Sequence, residues 1–189
     1  RRRLLGHELC LKGNGKDLLA NSDQRSVDLN ELIEDLYAGL QESGHSINGV
    51  YRFFPAQSDG NKVLIYNPDQ PGEVLEVFDF PRQTAHPFLC LADYLKPVSS
   101  GEMDYAGFFV VSAGKGIREK SDQWKDEGEF LKSHAIQSLA LEMAEGLAER
   151  MHQIMRDKQQ ISDPIDMTMQ ERFAAKYTGQ RFSFGYPAC

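Results

Sequence analysis

Cysteine is scarce in this 189-residue chain. Cys10, Cys90 and Cys189 stand far apart and form no CxxC pair. An odd, scattered set argues against a disulfide framework and against a zinc ribbon, and reads as a reduced, cytoplasmic protein. No apolar run approaches the ~20 residues that cross a bilayer. The N-terminus holds no hydrophobic stretch of the signal-peptide kind, so no membrane partner is expected. Basic residues are outnumbered, 21 Lys and Arg against 28 Asp and Glu, for a formal net charge of -7. That balance argues against nucleic acid as the main partner, and Arg1, Arg2 and Arg3 are too short a cluster to alter it. They read as a solvated end.

Catalytic signatures are missing as well. There is no GxxxxGK[ST] phosphate loop and no GxSxG nucleophile elbow. The five histidines, His7, His45, His86, His134 and His152, show no metal-ligand spacing with Cys, Asp or Glu. "SAGKGI" carries Gly114-Lys115-Gly116, but Glu119 stands where a dinucleotide fingerprint needs its third glycine. With no obvious helix start at those glycines, the stretch reads as a strand-end turn. No self-contained catalytic centre and no metal site are expected.

What remains is an ordinary globular composition, 41% hydrophobic and 26% charged, suited to one domain over residues 1–189. A chain that begins without Met and stops within a motif is expected to be a piece of a longer polypeptide. A first helix is expected from Asp28, with Glu31 as capping-box partner, Leu29, Leu32, Ile33, Leu36 and Leu40 on one face, and Gly44 at its end. "GVYRFFPA" (49–56) and "KVLIYN" (62–67) read as a hairpin turning at Asp59-Gly60. "EVLEVFDF" (73–80) is a third strand, and "PFLCLADYL" (87–95) reads equally as strand or short helix. "DYAGFFVVSAG" (104–114) has the apolar density of a central strand buried on both faces.

From Glu129 to about Lys158 one long helix is expected, with Leu131, Ala135, Leu139, Met143, Leu147, Met151 and Met155 forming a core stripe. Gly146 within it costs roughly 1 kcal/mol against alanine, which suggests a close approach to the backbone there. The acidic runs "DLNELIED" and "DQWKDEGE" read as solvated helix faces. After a proline-bearing linker, Thr168 and Glu171 form a second capping box, and Gly179 ends the last helix. Helix, several strands, then helices is the order of an α+β fold.

The chain closes on "RFSFGYPAC", where Arg181, Ser183 and Gly185 alternate with Phe182, Phe184 and Tyr186 in the manner of a half-buried strand. Arg181 offers a planar fork of donors suited to a carboxylate. Gly185 lets a ligand or another backbone come close, and Tyr186 presents an aromatic face to a purine or a cation. The alternative is an edge strand with a surface arginine, and the residues alone favour that plainer reading.

Set beside other stretches, the motif resembles the R-x-x-x-G-Y-P-A-C signature of the activation domain of cobalamin-dependent methionine synthase. "CLADYLKPVSSGEMDYAGFFVVSAG" (90–114), "LALEMAEGLAERMH" (139–152) and "YRFFPAQSDGN" (51–61) resemble further segments of that family, in order and with matching spacing. The resemblance implies a C-shaped α+β domain, a twisted antiparallel sheet with flanking helices, that binds S-adenosylmethionine in a shallow groove. It implies a reactivation module of an enzyme that methylates homocysteine from methyltetrahydrofolate. In that family the module supports reductive methylation of cob(II)alamin, with electrons from flavodoxin or a similar reductase, while the cobalamin is held by a cobalamin-binding domain of the same enzyme. The family's arginine falls on Arg181, its tyrosine on Tyr186, a backbone ligand contact on Ser183 and a groove-lining glutamate on Glu145, beside Gly146. Gly185 completes the implied cofactor-binding set. Asp104 and Tyr105 match the motif and read as structural.

The sequence departs from the family at two acids. One slot falls on Ala175, with Glu171 a turn earlier as the candidate substitute. The other falls near Arg1, where no acid stands. Those losses support the alternative of a non-catalytic docking domain that keeps the fold without the ligand.

Overall fold

The computed structural model describes residues 24–182. The first helix, α1, spans Gln24–Glu42 and so begins before the expected Asp28. Asp28 lies in its second turn, so it does not cap the helix with Glu31 and stands past the first turn, where a carboxylate offsets the helix dipole. The apolar face is as the spacing requires: Leu29, Ile33 and Leu40 are buried together with Leu139, and Leu32, Leu36, Tyr37, Ile117 and Met143 pack around them. The helix closes at Gly44, whose N–H bonds the Gln41 carbonyl while His45 N–H bonds that of Leu40.

Four strands follow: β1 Asn48–Asp59, β2 Lys62–Tyr66, β3 Val74–Asp79 and β4 Asp104–Ser112. They lie in the order β3-β2-β1-β4, an open antiparallel sheet. The hairpin forms where the Asp59-Gly60 turn places it, with Asp59 opposite Lys62 and Ala56 opposite Ile65. Along β2 and β3, Val63 faces Phe78 and Leu64 faces Val77. One sheet face carries Ala56, Val63 and Ile65 into a core with Cys90 and Ala92, surrounded by Phe54, Phe78, Phe80, Leu95, Ala106 and Phe108.

β4 differs from its expectation. It stands at the end of the described strand order, and its exposure alternates only as far as Phe108: Tyr105 is exposed while Ala106 and Phe108 pack inward, and past Phe109 Val110, on the Phe108 face, is exposed too. An apolar run records side-chain type without direction, so it does not separate one buried face from two. The 87–95 stretch resolves as a short 3₁₀ turn, Leu91–Tyr94. Its loop is tied by side chains: Arg82 binds both Asp93 oxygens at 2.6 Å and the Phe88 carbonyl at 2.8 Å. Asp104 Oδ2 accepts from the Lys96 N–H at 3.0 Å, in keeping with its structural reading.

A helix follows Gly116 directly: α2, Ile117–Asp126, so the Gly114-Lys115-Gly116 turn leads into a helix whose second half carries part of the acidic run expected on a helix face. Gly114 is required there. Its φ is +95°, and the His45 ring occupies the place a Cβ would take. His45 Nε2 lies 2.5 Å from the Ala113 carbonyl oxygen, tying the end of α1 to the end of β4.

The long helix α3 spans Phe130–Lys158, as its periodicity requires. Ala135, Ile136, Leu139, Met151 and Met155 are buried, whereas Leu131, at the first turn, is exposed. α2 packs on α3 through small polar residues: Ser121 Oγ and Ser133 Oγ are 2.9 Å apart, and Gln137 Nε2 donates to Ser121 Oγ. Gly146 is exposed, with nothing described within 4 Å of where its Cβ would lie.

α4 is a short helix, Met169–Phe173, opened by the expected capping box: Thr168 Oγ1 accepts from Glu171 N–H and Glu171 Oε2 accepts from Thr168 N–H. It ends before Gly179. Ala175 takes the left-handed conformation, φ 52°, and Lys176 N–H closes onto the Glu171 carbonyl. That closure needs a left-handed residue, and alanine supplies it at a conformational cost.

The chain separates into two compact units, residues 1–49 with 110–189, and residues 50–109. The division falls within β1 after Gly49 and within β4 before Val110.

Candidate functional site

Glu145, Glu149, His152 and Arg156 occupy positions i, i+4, i+7 and i+11 of α3, so they share one face of the helix. Glu145 is exposed, and the face becomes progressively buried toward Arg156. The segment after α4 lies against this face.

Arg156 is the deepest member, with a side chain only 3% exposed. Its Nη2 and Nε bond Asp163 Oδ1 at 2.7 and 3.2 Å. Asp163 is equally buried and stands 3.2 Å from Arg172 Nε through its other oxygen. One carboxylate from the linker thus joins α3 to α4. Burial of a charge is expensive unless it is paired, and Asp163 faces two guanidinium groups.

The third Arg156 nitrogen donates to His152 Nδ1 at 2.8 Å. Arginine has only donors, so Nδ1 is the lone-pair nitrogen and the imidazole proton sits on Nε2. Burial, then the positive charges of Arg156 and Arg181, push the His152 pKa down to about 4, with Asp163 opposing. His152 is therefore a neutral, hydrogen-bonded core residue.

Tyr177 completes the cluster. Its ring covers the Arg156 guanidinium at 3.8 Å and meets the His152 ring edge-on at 5.2 Å. Burial, then the negative charge of Glu149, raise its phenol pKa against the positive charges of Arg181 and Arg156. Gly179 follows with φ +97°, and a Cβ there would meet Arg156 Cδ at 3.4 Å. The chain thus folds over the arginine, with its ring on the guanidinium and its bare backbone on the stem.

Arg181 comes next. Its Nη1 is buried and stands 3.2 Å from Glu149 Oε2, an ion pair without the alignment of a hydrogen bond. Arg181 and Phe182 are not in a strand. Ser183, Gly185 and Tyr186 lie outside the described residues. Of the residues singled out from sequence, Arg181 and Glu145 are thus brought to the same helix, one turn apart through Glu149. Glu171, the candidate substitute acid, is committed to its cap, where the bonds from Thr168 lower its pKa.

Sequence reasoning missed Glu149, Arg156, Asp163 and Tyr177. The first two were legible as a polar i, i+4, i+7, i+11 row in a helix otherwise read for its methionines. Asp163 and Tyr177 carry no local signal, because their partners sit outside any helical or strand spacing: Asp163 meets Arg156 and Arg172 from an irregular linker, and Tyr177 meets Arg156 from beyond α4. Among the described residues, no group of three or more His, Cys, Asp or Glu is placed to hold a metal ion. No described helix is long and apolar enough to cross a membrane.

Comparison with known proteins bears on this site. The sequence profile of "Vitamin B12 dependent methionine synthase, activation domain" matches residues 16–189. The chain is 29% identical over 151 residues to a methionine synthase of Mycobacterium tuberculosis, covering 74% of this chain and 13% of that protein. It is 31% identical over 157 residues to the methionine synthase of Mycobacterium leprae, covering 74% of this chain and 12% of that one. The chain therefore spans about an eighth of these relatives. Among solved structures, the crystal structure of the MetH reactivation domain bound to AdoHcy superposes with a TM-score of 0.86 at 25% identity, over 99% of this chain and 60% of that one.

Proposed function

Because this chain belongs to the activation-domain family of vitamin B12-dependent methionine synthase, we propose that it binds S-adenosylmethionine through the segment that begins at Arg181. The observation that carries the reading is the state of Arg181. Its guanidinium is drawn against α3 by an ion pair that leaves Nη1 without an aligned acceptor among the described residues. A ligand carboxylate fits that fork, since arginine binds carboxylates bidentately. Glu145, exposed one turn from Glu149, is suited to the ligand's ammonium group. Ser183, Gly185 and Tyr186 would supply a backbone contact, close approach and an aromatic face.

In this reading the domain binds and positions, and S-adenosylmethionine supplies a transferable methyl group for the cobalamin carried by a partner domain. The larger polypeptide methylates homocysteine in the cytoplasm, and a flavodoxin-like reductase supplies the electrons. A second reading, a docking domain that no longer binds the ligand, draws on one observation. Ala175 holds the slot of a family acid, and Glu171 is locked in its cap.

Calorimetric titration of the natural full-length polypeptide with S-adenosylmethionine, wild type against Arg181→Ala, decides between them. The first reading expects binding that the substitution weakens at least tenfold, in line with the loss of a charge-assisted contact. Absent binding, or equal binding by both proteins, sinks it.

A further inference from the structure

Resting on the reading of Arg181 as the ligand's carboxylate partner, we propose that Tyr177 is its positioning residue, seated on the buried Arg156. Tyr177 itself touches no ligand in this account. It sets the place from which Arg181 reaches out.

Three residues separate Tyr177 from Arg181, and each end of that span is fastened to α3. At the near end the Tyr177 ring lies 3.8 Å above the Arg156 guanidinium. That guanidinium has no freedom to shift, because Asp163 and His152 hold its remaining nitrogens. At the far end Arg181 meets Glu149, the same carboxylate whose charge acts on the Tyr177 phenol. Between them Gly179 rests on the stem of Arg156 and allows the turn. The span is a short loop closed on one buried arginine and one shared carboxylate.

The chemical consequence is specific. A flexible arginine loses rotamer entropy when it binds a carboxylate, whereas one held in place beforehand loses less. Seating Tyr177 lowers that cost at Arg181 alone. The contribution therefore applies to ligands with a carboxylate and not to the nucleoside part of the same ligand.

The test uses the natural full-length polypeptide with two probes: S-adenosylhomocysteine, and 5′-methylthioadenosine, which lacks the amino-acid group. Tyr177→Phe keeps the ring over Arg156 and removes only the hydroxyl beside the Glu149 charge, so it serves where Tyr177→Leu proves too disruptive. For S-adenosylhomocysteine we expect roughly a threefold loss of affinity in Tyr177→Phe and roughly tenfold in Tyr177→Leu, within the range of coupling between contacting residues. For 5′-methylthioadenosine both variants are expected to match wild type within about twofold. In an Arg181→Ala background, neither Tyr177 substitution is expected to weaken S-adenosylhomocysteine binding further. Equal losses for both probes, or undiminished losses in the Arg181→Ala background, would assign Tyr177 a general structural role and overturn the proposal. If Arg181→Ala alone leaves S-adenosylhomocysteine binding intact, the site reading itself fails. That outcome is separate from a failed Tyr177 cycle.

Discussion

Arg181 and Glu149 stand 3.2 Å apart, an ion pair that joins the segment after α4 to the middle of the long helix. The pair is about a quarter to a third exposed at each side chain, 26% and 31%, so its own worth to stability is below ~1 kcal/mol. Its interest lies in the sharing of Glu149 with Tyr177. Burial and then the Glu149 charge raise the Tyr177 pKa, against the opposing charges of Arg181 and Arg156. Glu149→Gln keeps an acceptor and removes the charge. The Tyr177 pKa is then expected to fall, read as the difference in tyrosine titration between each protein and its Tyr177→Phe counterpart. An unchanged value would mean that burial alone sets it.

Asp163 is the single acid between Arg156 and Arg172 among the described residues. Asp163→Ala leaves a buried guanidinium uncompensated and is expected to destabilise the protein by about 3–5 kcal/mol. Replacing both Arg156 and Asp163 by leucine removes the fully buried charge with its countercharge and leaves only the part-exposed Arg172 to be solvated, and is expected to cost less than Asp163→Ala alone. Urea midpoints of the three proteins compare them. A double variant as unstable as the single one would show that packing rather than charge dominates.

His152 makes stability depend on pH. Its folded pKa, about 4, lies below the ordinary value of 6.5. Above pH 6.5 both folded and unfolded states are neutral at this residue, and the contribution is full. As pH falls from 6.5 toward 4 the unfolded chain binds a proton that the folded one refuses, and stability drops. Below the folded value no further loss comes from this group. The groups facing it are Arg156, Arg181, Asp163 and Tyr177, and the loss is at most about 3 kcal/mol, at ~1.4 kcal/mol per pKa unit. His152→Asn retains a hydrogen-bond acceptor without titrating. It is expected to flatten the stability profile across that window, and a profile as steep as wild type would place the effect elsewhere.

Two backbone positions respond in opposite directions to alanine and glycine. Ala175, at φ 52°, carries left-handed strain. Ala175→Gly is expected to raise stability by roughly 0.5–1 kcal/mol, net of the entropy glycine adds to the unfolded chain. Gly179, at φ +97° against Arg156, is expected to lose roughly 1–2 kcal/mol on replacement by alanine. Thermal unfolding of the two variants gives both signs.

Periodic and turn-coded features were legible without coordinates. The leucine face of α1, the Asp59-Gly60 hairpin, the length of α3 and the Thr168–Glu171 cap are each written over a few neighbouring residues, and local sterics and hydrogen bonding suffice to specify them. The α+β class and the family followed from those elements and from the terminal motif. Tertiary structure decided what depends on distant partners. β4 reads as a central strand but stands at the end of the described strand order, the start of α2 is hidden because its inward face holds serine rather than leucine, and α4 closes on a strained alanine in place of the available glycine. The site divides in the same way. Arg181 announced itself by its motif, whereas Glu149, Arg156, Asp163 and Tyr177 acquire their meaning only once folding brings α3, the linker and the segment after α4 around one buried guanidinium. Pairing of buried charge is a long-range requirement, and sequence spacing carries no record of it.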